Sequence, residues 1–169
     1  MPPIDIPVAT AISRFIADTL AAIQSDDVFY YTPWGVKRVL SFNTTHLVQG
    51  DVDTERVIYL VRPGDERSTV EQSGGGHKEF QDYWVLGAMT HLPSSEDLWQ
   101  IDDSTEIEED KQNKIESDVK RAIARAWPQS GIGILTNLEV TDADKLIKIT
   151  GWAVVQFRVL ATYKPRWGA

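Results

Sequence analysis

Apolar residues recur every three or four positions at Ile12, Phe15, Ile16, Leu20 and Ile23, a spacing that gathers them on one face of a helix running from about Val8 to Gln24. Ser13, Arg14, Asp18 and Gln24 fall on the other side. The same period returns at Ile115, Val119, Ala122, Ile123 and Ala126. It predicts a second helix, about Thr105 to Ala126, ended by Pro128 and by Gly131 and Gly133. Branched and alternating stretches predict five strands: Val36–Val48, Arg56–Arg62, Glu79–Leu92, Ile132–Thr141 and Leu146–Tyr163. Phe29–Gly35 is aromatic and turn-rich. The polar stretch Gly64–His77, with Gly74, Gly75 and Gly76 near its end, reads as a mobile loop around residues 64–78. Gly151, isolated in a branched segment, is a candidate bulge.

The strands are grouped rather than alternating with helices, and the order is α-β-β-β-α-β-β. That order predicts an α+β fold, an antiparallel or mixed sheet of about five strands with two helices on one face. At 169 residues the chain forms one domain, 1–169, large enough to bury a core without staples. The absence of cysteine removes disulfides and thiolate chemistry together. The N-terminus carries no secretory pattern, so residence in a cytosol is expected.

Charge changes the picture. Between Glu96 and Asp118 stand ten carboxylates against Lys111 and Lys114, a surplus equal to the formal net charge of the whole chain, −8. The second helix therefore buries an apolar stripe and presents an acidic face, with Lys120, Arg121 and Arg125 in its second half completing the order that suits the helix dipole. Such a face repels phosphate, so any meeting with DNA is passage rather than grip. Lys37, Arg38, Arg56, Arg62, Arg67 and the terminal Lys164 and Arg166 form no stripe with aromatic platforms.

The search for reaction chemistry finds no motif. His46, His77 and His91 have no metal-site spacing, and the serines lack a nucleophile elbow. The glycine run has neither the strand before it nor the helix after it that a phosphate loop needs. The carboxylates of the acidic run lack the apolar surroundings that make a general acid. No catalytic, cofactor-binding or metal residue is assigned, no cofactor is expected, and the chain reads as a non-enzyme. Within an alternative class, a small monomeric ligand-binding or hydrolytic domain, His46 and His91 lie near strand ends and Asp82 is available to join them. Six tryptophans are many for this length. Trp34, Trp99 and Trp167 lie in expected loops or tails, which makes them interface candidates.

Three segments carry a resemblance: Ile12-x-x-Phe15-Ile16-x-x-x-Leu20-x-x-Ile23 near the start, Asp118-Val119-x-x-Ala122-Ile123 in the middle, and Val154-Val155-Gln156-Phe157-Arg158-Val159-x-Ala161-x-Tyr163 near the end. With these landmarks the chain resembles the tail terminator (tail completion) proteins of long-tailed phages and the neck and minor tail proteins related to them. The resemblance implies a virion protein of the tail or neck, assembled in the host cytoplasm. It implies a homo-oligomeric ring, usually a hexamer, that caps the tail tube, ends its polymerisation and offers a docking surface to the head connector. Its partners would be further copies of itself, the tube protein and the connector or neck protein, with DNA passing through unbound and no membrane involved. A tail tube, minor tail or head-tail joining component is the neighbouring alternative. On this reading Glu106, Glu109 and Asp110 line the ring's lumen. Neutralising them should leave assembly intact and slow genome ejection; unchanged ejection would count against the assignment.

Overall fold

The structure is a computed structural model that describes residues 8–23, 29–31, 34–39, 56–61, 68–71, 78–92, 101–133, 135–147 and 151–164. Helix α1 spans Val8–Ala21. The strands β1 Gly35–Val39, β2 Arg56–Val61, β3 Ser68–Glu71 and β4 Lys78–His91 follow. Helix α2 then runs over Ile101–Ala126, a 3-10 turn over Trp127–Gln129, and β5 Leu135–Asp144 and β6 Trp152–Tyr163 close the chain.

The fold is α+β, and its sheet is mixed. Its main path is β1-β2-β4-β6-β5. Every pairing in it is antiparallel except β1 with β2. Parallel neighbours cannot be joined by a tight hairpin, and the connection here comprises residues 40–55. Strand β4 is the organising element. Along one side it pairs with β6 from Phe80 to His91. Along the other it pairs with β3 over Lys78–Gln81 and with β2 over Val85–Thr90.

Strand β3 lies within the stretch read from the sequence as a loop, so the described residues form six strands where about five were expected. Four residues, Ser68-Thr69-Val70-Glu71, are too few to display a period, and their pairing depends on an edge that β4 supplies. The glycine run lies outside the described residues. Gly151 is a turn residue at φ +83° rather than a bulge. The register shifts fall instead in β5, between Leu135 and Asn137 and between Val140 and Asp142.

Both helices lie on one face of the sheet and share a core with it. Ile12, Ile16 and Leu20 of α1 and Ile115, Val119 and Ile123 of α2 are buried against Leu60, Trp84, Leu86, Val155, Phe157 and Val159. Fully burying side chains of this size contributes roughly 1.5–3 kcal/mol each. Ser13 faces this core, and its hydroxyl accepts the Trp84 indole N–H at 2.7 Å, which satisfies two polar groups that would otherwise be costly to bury. On the opposite face Val57, Met89, Trp152 and Val154 form a second buried cluster with Ile147 against it. Strand β6 is thus buried on both sides over much of its length, which is why its sequence does not alternate cleanly.

Candidate functional site

The outer surface of α2 and its junction with α1 hold the features that bear on function. Glu106, Glu109 and Asp110 are exposed and share one face with Asn113, as spacings of three, four and seven require. Asp110 pairs with Lys114 at 2.7 Å, a contact that raises the lysine's pKa, chiefly by the hydrogen bond between them. One turn further, Glu116 bonds Lys120 at 2.6 Å and pairs with Lys145 from the β5–β6 connection. Hydrogen bonds from these two lysines hold the Glu116 carboxyl below its ordinary range. On this face Glu106 and Glu109 are exposed, and further along the helix Asp110 and Glu116 are paired with lysines.

The opposite flank of α2 holds the aromatic segment that follows α1. Asp118 is fully buried, and its carboxylate accepts the backbone N–H of Tyr30 at 2.9 Å and that of Tyr31 at 2.9 Å. Burial raises its pKa, while the two backbone N–H groups and then Arg121 oppose the rise. Lys111 and Lys114, seven and four residues earlier, place their ammonium groups 5.7 Å over the Tyr31 ring and 5.8 Å over the Tyr30 ring, within cation–π range. Trp34 meets Tyr31 edge-on at 6.1 Å. The segment is fixed by charge at several points, yet Tyr30 remains 57% exposed.

Gln112 fastens α2 to the last two strands. Its amide donates to the Lys145 carbonyl at 2.9 Å and to the Val154 carbonyl at 3.1 Å. Lys145 in turn donates to the Asn113 side chain at 2.8 Å.

Where the C-terminal ends of α1 and α2 approach, an open groove of about 490 Å³ remains. Phe15, Ile23, Phe29 and Ala122 contribute to its apolar lining, and Asp18 from α1 and Arg125 from α2 are the charged residues that line it. Neither charged side chain has an ion-pair partner among the described residues.

Of the three tryptophans singled out from the sequence, Trp34 is 4% exposed and belongs to the main core, so it offers almost no area to a second chain. Pro33 and Gly35 make its segment read as a surface turn, but Asp118 draws that segment onto the helix layer. Its indole nitrogen is buried without a hydrogen-bond partner among the described residues. Trp99 and Trp167 lie outside the described residues.

Of the histidine constellation, the described residues show only that His91 and Asp82 are not brought together. His46 and His77 lie outside the described residues. His91 stacks on Trp152 at 3.8 Å on one face of the sheet. Asp82 is nine residues away along β4, about 30 Å at strand rise, and on the other face. There its carboxylate accepts the Tyr163 hydroxyl at 2.7 Å. Among the described residues no group of three or more potential ligands could hold a metal ion, and no helix is long and apolar enough to cross a membrane.

The residues that sequence reasoning did not assign are Asp118, Gln112 and the groove pair Asp18 and Arg125. A signal existed for the first two. Gln112, Ile115, Asp118, Val119 and Ala122 fall on one stripe of α2, and a polar side chain on a buried stripe needs a partner from elsewhere in the fold. No protein-family model matches the chain, and no curated protein matches its sequence.

Proposed function

We propose that this chain is a structural virion protein of a long-tailed phage, a tail terminator that assembles as a ring on the end of the tail tube and presents a surface to the head connector. The observation that carries this reading is that the three landmark segments converge in one core. Ile12, Ile16 and Leu20 from the first, Val119, Ala122 and Ile123 from the second, and Val155, Phe157, Val159, Ala161 and Tyr163 from the third are buried together. The three landmark segments thus form much of the chain's main core.

Two surface features suit the role. Glu106, Glu109 and Asp110 are solvent-facing on a helix that is otherwise anchored to the sheet, as a lumen lining that lets DNA slide without adhering requires. The outermost strands of the described sheet path, β1 and β5, and the aromatic segment beside α2 are unlike patches, which heterologous contacts around a closed ring need. Among the described aromatics Tyr30, exposed and rigidly held, is a better interface anchor than Trp34. The test is the mass of the purified protein by light scattering. The reading expects a discrete multiple of the 19.0 kDa chain, six copies by the resemblance. A monomer that neither associates with rising concentration nor binds preformed tail tubes overturns it.

A further inference from the structure

We propose that the groove between the C-terminal ends of α1 and α2 receives the stretch Lys164-Pro165-Arg166-Trp167 of a neighbouring copy of the chain. This rests on the ring reading and names one of its contacts.

The groove is selective in its chemistry. Its lining combines apolar side chains, Phe15, Ile23, Phe29 and Ala122 among them, with one carboxylate, Asp18, and one guanidinium, Arg125. Its volume, about 490 Å³, lies within the range of sites that bury a large side chain with its neighbours. One wall is preorganised: Phe29 directly precedes Tyr30 and Tyr31, whose backbone N–H groups are bound to Asp118, so little ordering cost remains for an incoming segment.

The sequence beyond β6 is complementary. Lys164 and Arg166 supply cations for Asp18. Trp167 supplies a flat apolar face for the apolar lining, on which Arg125 can stack. Strand β6 ends at Tyr163, and Lys164 is exposed, so the chain leaves the sheet at the surface. Trp167 is three residues further, about 10 Å of extended chain. Groove and tail are different patches of the same chain. A pairing of unlike patches between copies is heterologous, the contact type that closes rings rather than isologous dimers.

The chain has no cysteine, so introduced thiols are the only ones present. Thr19 also lines the groove. Thr19→Cys and Gly168→Cys proteins, mixed and mildly oxidised, should give a disulfide-linked dimer containing one of each. The double variant should give a ladder of linked species up to the ring. A Gln129→Cys protein, altered at an exposed position outside the groove lining, should not link to Gly168→Cys. Trp167→Ala should raise the dissociation constant of the assembly about tenfold or more, as loss of a central aromatic anchor does. A double variant that closes only within single chains overturns the proposal, because the tail then lies on its own groove. A wild-type ring by light scattering without any cross-link overturns the docking and leaves the ring reading standing. A wild-type monomer that ignores tail tubes overturns both.

Discussion

A buried carboxylate is costly unless its lone pairs are satisfied, and Asp118 satisfies its own with the backbone of a distant segment. Its ionised form is still disfavoured by burial, which raises its pKa. Its titration therefore contributes stability that is fully present below the ordinary 3.8 and is lost as pH rises through the raised folded value. What Asp118 gives at neutral pH is placement of Tyr30 and Tyr31. Asp118→Ala leaves two backbone N–H groups without their acceptor and should cost about 2–6 kcal/mol in urea unfolding, from roughly 1–3 kcal/mol per stranded group. Glu116 has the opposite sign. Its folded pKa is depressed by hydrogen bonds from Lys120 and Lys145. Its stabilisation is present above the ordinary 4.5 and disappears as pH falls through the lower folded value. Glu116→Gln should cost about 0.5–1 kcal/mol near neutrality, as partly exposed ion pairs do. The gap to wild type should close in unfolding midpoints taken at progressively lower pH. At this scale the sequence shows that an acid sits on the α2 stripe. It does not show that the acid's partners lie 88 and 87 residues away, because only the folded chain brings them together.

Among elements, α2 is the hub, joined to α1 through the shared core and to β5 and β6 through Gln112. Replacing Gln112 by Met keeps most of its volume and removes both donors. The Lys145 and Val154 carbonyls then lose a bond inside a partly closed environment, at about 1–3 kcal/mol. Hydrogen exchange should report faster opening of amides in β5 and the start of β6, with those of β4 unchanged. The two helices were legible in the sequence because each buries one face, and a spacing of three and four residues admits no other regular element. Helix α2 begins at Ile101 rather than Thr105, the kind of end-point difference that acidic, weakly periodic first turns produce. Strands β2, β4 and β6 announced themselves by branched residues, whereas β3 did not. Gly151 shows the limit of local reading: a lone glycine in a branched segment fits a bulge or a turn equally, and only pairing distinguishes them. Pairing puts it outside β6, where its carbonyl accepts the Leu92 N–H at 2.9 Å.

At the scale of the whole molecule the described residues combine an acidic helix face, a charged aromatic bracket and an open groove, and none of these converges on reaction chemistry among them. The α+β architecture followed from element order, which is a property of sequence. The groove did not, because it is made where two helix ends meet and no single segment encodes it. The proposed ring would put the apolar, cationic and acidic zones of such a surface to different contacts. The most direct measurement is to add the purified chain to polymerising tail tube protein and record tube lengths and ends by electron microscopy. The account predicts that growth stops, that lengths shorten as the chain is increased, and that a ring of density sits on one end of each tube. Tubes that grow to the same lengths with bare ends would contradict it.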